Sequence, residues 1–223
     1  MTSLGPRSPL PTVILISGRG SNMRAIAEAA RSGALPIEVR AVLSDRADAA
    51  GLAAARALGI EARPICPRPG ADRSEYDREL AAAVRGYSPG LVVLAGFMRI
   101  LSPVFVEEFL GRMLNIHPSL LPRYRGLHTH RRVLEAHAAD HGASVHFVTP
   151  ELDGGPVVLQ GRLRVRRGDD EASLAARVQA LEHRIYPQAI AWFAEGRLRW
   201  NGGQLQLDGQ PLAAPRVIEE QDP

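Results

Sequence analysis

Short runs of uninterrupted apolar residues, separated by stretches with helical spacing, constrain this chain more than any other feature. Val13-Ile14-Leu15-Ile16 and Leu91-Val92-Val93-Leu94-Ala95 place an apolar side chain at every position. A strand made from either run has to be buried on both faces. Strands are expected at residues 12–17, 38–44, 61–64, 91–95, 113–117, 142–148 and 157–165. Helices are expected at 22–31, 49–58, 74–85, 103–110, 131–138 and 173–196, the last as one long helix or two. Asp72 or Arg73 lies near the start of the third helix, and Gly33, Gly59 and Gly86 sit where helices should end. This alternation predicts an α/β, Rossmann-like three-layer domain with a central mostly parallel sheet.

Residues 1–11 are proline-rich and are expected to form a disordered leader. The first apolar run is too short for a signal sequence, and no run reaches the length of a membrane span. After residue 196 the pattern changes. Arg197-Leu198-Arg199-Trp200, Asn201-Gly202-Gly203 and residues 204–207 read as a C-terminal hairpin on a tight turn, with 213–223 as a flexible tail. The chain has 223 residues, 45% of them hydrophobic, enough for one large domain with an ordinary core. All 27 basic residues are arginine, so a Schiff-base lysine and a phosphate-loop lysine are excluded. A net charge of +3, scattered arginines and 5% aromatic residues give nucleic-acid binding little support. The single cysteine, Cys66, excludes an internal disulfide and a cysteine-rich zinc site and fits a reducing cytoplasm.

The chemistry concentrates in Leu114-Asn115-Ile116-His117-Pro118. Asn115 and His117 are two apart, so on a strand both side chains point to one face. Pro118 bars the helical conformation at His117, so the strand stops where the imidazole is presented. An amide donor beside a group that moves protons near neutral pH suits acyl transfer. Downstream, Asp153 stands in Leu152-Asp153-Gly154-Gly155, which by itself reads equally as a turn.

Ser17-Gly18-Arg19-Gly20-Ser21-Asn22 joins the first strand to the first helix, where free amides and the helix dipole favour an anion. Phosphate binding, dinucleotide binding with Asp45 as the ribose acid, and a plain tight turn all remain open. Met23 stands where a dinucleotide fingerprint has its third glycine. His128 with His130, and His137 with His141, have suggestive spacings, but no glutamate completes a zinc-helix motif. Surface or hydrogen-bonded histidines are the expectation, with no metal. Glu182, on spacing alone, is a solvated helix residue.

Several of these segments, in this order and spacing, resemble the phosphoribosylglycinamide formyltransferase family of folate-dependent enzymes. They are residues 13–22, 94–102 and 114–122, Gly126-Leu127-His128-Thr129-His130, residues 146–153 and the segment around Glu182. The likeness runs from about Thr12 to Pro211 and implies one formyltransferase domain over 12–212. It implies transfer of a formyl group from 10-formyltetrahydrofolate to the amine of phosphoribosylglycinamide in purine (IMP) synthesis. Carried over residue by residue, Asn115, His117 and Asp153 match the catalytic trio. Gly20, Ser21 and Asn22 match the phosphate loop, and Gln179, Ala180, Leu181 and Glu182 the segment holding the ribotide. Arg73, Met98, Arg99, Ile100, Leu101, Asn115, Thr149, Pro150, Glu151, Leu152 and Asp153 match the folate contacts. The resemblance also implies a cis peptide at Leu121–Pro122 and a chemistry that uses no metal.

Two positions depart from the family pattern: Pro150, in the folate loop, and Arg125, before Gly126. Expected partners are small-molecule substrates, with no nucleic acid and no membrane, in a cytoplasmic monomer or homodimer. Formyltetrahydrofolate hydrolase and methionyl-tRNA formyltransferase share the trio but carry further domains, for which this chain is expected to have no room. A Rossmann oxidoreductase and a non-catalytic binding module leave the Asn115, His117 and Asp153 combination unexplained.

Overall fold

A computed structural model describes residues 8–70 and 72–221 of the chain. The first half runs β1 (Leu10–Ile16), α1 (Ser21–Arg31), β2 (Ile37–Ser44), α2 (Ala50–Ala57), β3 (Ala62–Pro64), α3 (Arg73–Arg85) and β4 (Leu91–Leu94). The second half runs α4 (Pro103–Glu108), β5 (Met113–His117), α5 (Thr129–Glu135), β6 (Asp140–Phe147), β7 (Val157–Arg164) and α6 (Glu171–Ala194). Four short strands close the described chain: β8 (Leu198–Arg199), β9 (Gln206–Leu207), β10 (Gln210–Pro211) and β11 (Arg216–Glu219).

Eight strands form the central sheet in the order β11-β7-β6-β5-β4-β1-β2-β3. All neighbours are parallel except at β6, which runs against both β5 and β7. The sheet is thus mostly parallel with helices on both faces, as the α/β expectation required. Alternate residues of β1 divide between the two cores. Ile14 and Ile16 pack with α1, α2 and α6, while Val13 and Leu15 pack with α3 and α4. All four are 0% exposed, which is why the run carries no polar position.

The α3/α4 layer does not cover the whole sheet. Met113 packs beneath it, but Asn115 and His117 continue the same face of β5 beyond its edge. Opposite them in the antiparallel ladder stand His146 and Ser144 of β6. The other face of β5 and β6 is closed by α6, whose Tyr186 hydroxyl lies 3.0 Å from Leu94 O and 2.9 Å from Leu114 O. Four polar side chains therefore share a patch of sheet that loops, not helices, must cover.

The structure corrects the sequence reading at both ends. Leu10 and Pro11, assigned to the leader, belong to β1, Ser8 and Pro9 precede it without regular structure, and leader residues 1–7 lie outside the described residues. Residues 216–219, assigned to a flexible tail, form β11, which extends the sheet beside β7. Arg177 of α6 holds this strand. Its Nε donates to Glu220 at 2.9 Å, and its remaining donors reach Asp169 at 2.7 Å and Arg164 O at 2.8 Å. The tight turn is also elsewhere. Six residues separate β8 from β9, whereas β9 and β10 are joined by Asp208-Gly209, both at positive φ. Asp-Gly is the usual dipeptide of a two-residue hairpin turn, which makes a three-stranded sheet of the expected hairpin. The sixth helix is one helix of 24 residues despite Pro187, started by an Asp170–Ser173 capping box.

Removing the Arg177 clamp should loosen β11 without disturbing the central strands. Arg177→Ala is expected to speed amide exchange at Val217, Ile218 and Glu219 on the order of tenfold, the effect of losing charge-assisted hydrogen bonds. Exchange in β6, measured by mass spectrometry, should not change.

Candidate active site

Two adjoining pockets open where β1, β4 and β5 end, the position at which open parallel sheets bind ligands. The strand order reverses here, because β1 lies between β2 and β4.

The first pocket is built on the loop from β1 to α1. Gly20 takes φ 73°, and a Cβ there would lie 3.0 Å from Gly51 Cα. Gly51 in turn donates its N–H to Gly18 O at 3.0 Å. The close packing that a third glycine supplies in dinucleotide folds thus comes from α2, and Met23 is free to be core. Ser21 and Asn22 are tied to α6, from the far end of the chain: Gln179 Nε2 donates to Ser21 Oγ at 3.0 Å and Asn22 Nδ2 to Glu182 Oε2 at 2.8 Å. Asn22 Oδ1 is buried without a partner among the described residues. Burial pushes the Glu182 carboxyl above its ordinary pKa, and the Asn22 hydrogen bond opposes that shift. Glu182 is therefore not the solvated residue its spacing suggested.

The second pocket is lined by Arg99, Ile100, Leu101, Asn115 and the loop Thr149, Pro150, Glu151, Leu152 and Asp153. Asn115 Nδ2 lies 3.1 Å from His146 Nε2. His146 Nδ1 lies 2.8 Å from Phe147 O, a carbonyl that only accepts, so Nδ1 carries the proton and Nε2 accepts from Asn115. Burial lowers the His146 pKa and keeps the ring neutral, as this arrangement requires. One Asn115 N–H is thereby fixed, and the other remains for the pocket.

His117 is 6% exposed and lines neither pocket. Its Nε2 lies 3.0 Å from Tyr124 O and therefore donates there. Its Nδ1 faces Asp153 Oδ2 at 3.4 Å, so Nδ1 is the nitrogen left to exchange a proton. Asp153, at φ 48°, accepts from Gly126 N at 2.9 Å and has its other oxygen 3.8 Å from His146 Nε2. Beyond it, Arg125 pairs with Glu151, so one of the two residues that depart from the family pattern links the loop after β5 to the loop that carries Asp153. The Leu121–Pro122 peptide is cis.

Most of the expected site residues meet here, with exceptions. Arg73 is exposed at the start of α3 and lines neither pocket. Met98 lines the first pocket rather than the second. Ala180 is exposed, and Leu181 is 2% exposed in the core, so of that segment only Gln179 and Glu182 face the pocket. Two residues were missed. His146 gave a sequence signal, since it alternates with core residues on β6. Arg19 lines the first pocket and makes no ion pair with any described residue, a position invisible before the loop is folded. Among the described residues, no group of three His, Cys, Asp or Glu is arranged to hold a metal ion, and no helix is long and apolar enough to cross a membrane.

Beside the first pocket, His130 Nδ1 and His141 Nε2 are 3.0 Å apart. One ring donates and the other accepts. Burial depresses both pKa values, that of His141 to about 4, with the neighbouring His130 and His117 adding to the shift on His141; Glu171 opposes it on His130. A base depressed in the fold is neutral there but protonates at its ordinary value when unfolded. Its contribution to stability is full above pH 6.5 and declines as the pH falls toward about 4. Urea midpoints should therefore drop between pH 7 and pH 5, and His141→Asn should flatten that dependence.

A model of the formyl transferase family matches residues 11–190. The phosphoribosylglycinamide formyltransferase of Escherichia coli (strain K12) is 54% identical over 200 residues, covering 90% of this chain and 94% of that protein. A trifunctional purine biosynthetic protein of Homo sapiens is 40% identical over 83% of this chain, which spans 18% of that longer protein. Among solved structures, phosphoribosylglycinamide formyltransferase from Coxiella burnetii superposes with a TM-score of 0.90 at 48% identity, covering 94% of this chain and 99% of that one. Glycinamide ribonucleotide transformylase 1 from Symbiobacterium toebii gives 0.86 at 43% identity, covering 89% and 93%. The chain belongs to the formyl transferase family, among the phosphoribosylglycinamide formyltransferases, and is a formyl-transferring enzyme of purine biosynthesis.

Proposed function

We propose that the chain transfers the formyl group of 10-formyltetrahydrofolate to the amine of 5-phosphoribosylglycinamide in the cytoplasm, on the route to IMP and without a metal. The observation that carries this reading is the joint geometry of the trio. Asn115 and Asp153 open into one pocket, and Asp153 faces His117 Nδ1 at 3.4 Å.

The first pocket suits the ribotide. The amides of Gly20, Ser21 and Asn22 at the start of α1 meet the phosphate, and Arg19, without an ion pair among the described residues, adds a full positive charge. Glu182 accepts from ribose hydroxyls and Gln179 supports the loop, with Ala180 and Leu181 keeping both in register on α6. The second pocket suits the folate, whose flat ring meets the backbone and side chains of Arg99, Ile100 and Leu101 on one side. Residues 149–153 close the other side, where Pro150 offers no N–H.

In the reaction the amine lone pair attacks the formyl carbon and the carbonyl pair moves onto oxygen. The free Asn115 N–H and the Nδ1–H of His117 stabilise that oxyanion, with the Asp153 carboxylate beside Nδ1 holding the ring in place. Collapse then breaks the bond to the folate nitrogen. The attacking nitrogen loses a proton and the departing nitrogen gains one, by way of Asp153 and water.

Asn115→Ala should lower kcat about a hundred- to a thousand-fold, the usual loss of one oxyanion donor, with little change in ribotide binding. His117→Ala combined with Asp153→Asn should cost far less than the product of the single losses, and Asp153→Asn alone should alter the shape of the activity–pH profile. Multiplicative losses with an unchanged profile would remove Asp153 from the mechanism. Transfer assays should also show free glycinamide to be a poor acceptor, and Arg19→Ala should raise the ribotide KM and weaken its dependence on salt. Equal turnover of glycinamide and its ribotide would take the glycine loop out of the substrate site.

A further inference from the structure

The two pockets share a wall made of residues 96–101, between β4 and α4. Its residues alternate: Gly96 and Met98 line the first pocket, and Phe97 and Arg99 the second, followed there by Ile100 and Leu101. No regular element holds this wall. Its fastenings come from residues outside it: Ser17, which also lines the first pocket, and Asp77, which lines neither.

At the near end, Ser17 makes two bonds to it. Its N–H donates to Gly96 O at 3.1 Å, and its Oγ accepts from Met98 N at 2.8 Å. Ser17 is 5% exposed and stands directly before Gly18-Arg19-Gly20, so one residue joins the anion loop to the wall. At the far end, Asp77 of α3 accepts from Ser102 N at 2.5 Å. Asp77 is 1% exposed, and its Oδ1 has no hydrogen-bond partner among the described residues. The Ser102 side chain makes no capping bond of its own, and Pro103 follows it. Asp77 is therefore the acceptor for a buried N–H, a group that is costly to leave unpaired. Between the two ends, the Arg99 guanidinium lies over the ring of Tyr76, 4.6 Å from its centroid.

We propose that Ser17 and Asp77 are positioning residues that hold residues 96–102 as a partition between the two substrate pockets. Asp77 sets the face that meets the formyl donor, and Ser17 sets the partition relative to the anion loop. The inference rests on the assignment of the two pockets to ribotide and formylfolate.

The test is calorimetric titration of the full chain with glycinamide ribotide and, separately, with a hydrolysis-resistant formylfolate analogue, together with KM and kcat and the unfolding midpoint of every variant. Asp77→Ala should weaken the folate analogue and raise the donor KM on the order of tenfold, with ribotide affinity unchanged. Asp77→Asn keeps an oxygen that can accept from Ser102 N and should restore the donor KM. Ser17→Ala should weaken both ligands. Unchanged affinities in Ser17→Ala and Asp77→Ala overturn the proposal whatever happens to the unfolding midpoint, as does an Asp77→Asn protein no better than Asp77→Ala. If Asp77→Ala fails to fold, Ser17→Ala decides by the same readings, and an Asp77→Asn protein that folds but does not keep the wild-type donor KM overturns the role given to Asp77. A wild-type chain that binds neither ligand defeats the pocket assignment and the proposal with it. A wild-type chain that binds both while the variants match it defeats the partition alone.

Discussion

Strand β1 has no free side. Val13, Leu15, Ile14 and Ile16 are all 0% exposed, with strands on both edges and helical layers on both faces. This requirement for complete cover puts β1 in the middle of the sheet, with β2 on one edge and β4 on the other. The chain must leave in opposite directions from two adjacent strands, and no connection fills the gap at their carboxyl ends. Both pockets occupy that gap. The anion loop, the wall between the pockets and the end of β5 take their places from it.

The candidate catalytic patch depends on a second consequence of the same layering. Helices α3 and α4 cover one face only as far as Met113, while α6 covers the opposite face of β5 and β6. Asn115, His117, Ser144 and His146 lie on the uncovered part. An antiparallel neighbour at this point sets His146 directly against Asn115, where a neutral ring orients the amide. Ser144 takes the same role for the loop that covers His117: its Oγ accepts from Leu121 N at 3.0 Å and donates to Ser119 O at 2.6 Å. The strand that breaks the parallel pattern thus supplies the supporting shell of the trio.

Polar side chains in this molecule, most of them buried, fasten the segments around the two pockets. Asp77 serves the wall, Ser144 the loop after β5, and Glu182 with Gln179 the start of α1. In each case the partner lies far along the chain, so the site is held by long-range bonds between elements that the two cores already fix. Precision at the reacting groups then follows from packing rather than from the loops themselves.

The alternation of apolar runs and helical periods was sufficient to read the α/β layering, because period and burial are local properties. The Asn115, His117 and Asp153 combination was legible through its resemblance to known enzymes, and the two-residue spacing alone put Asn115 and His117 on one face. Other features were decided only by tertiary structure. Strand β11 has no local signal, since its short run with charged ends becomes a strand only when β7 offers an open edge and Arg177 holds Glu220. Glu182 looks solvated by spacing, yet is buried because α6 crosses over the start of α1. Met98 and Arg99 are neighbours in sequence but face different pockets, and Arg73 reaches neither. Sequence encodes the period of an element and the chemistry it carries. Which face meets which neighbour is settled by packing across residues far apart in the chain.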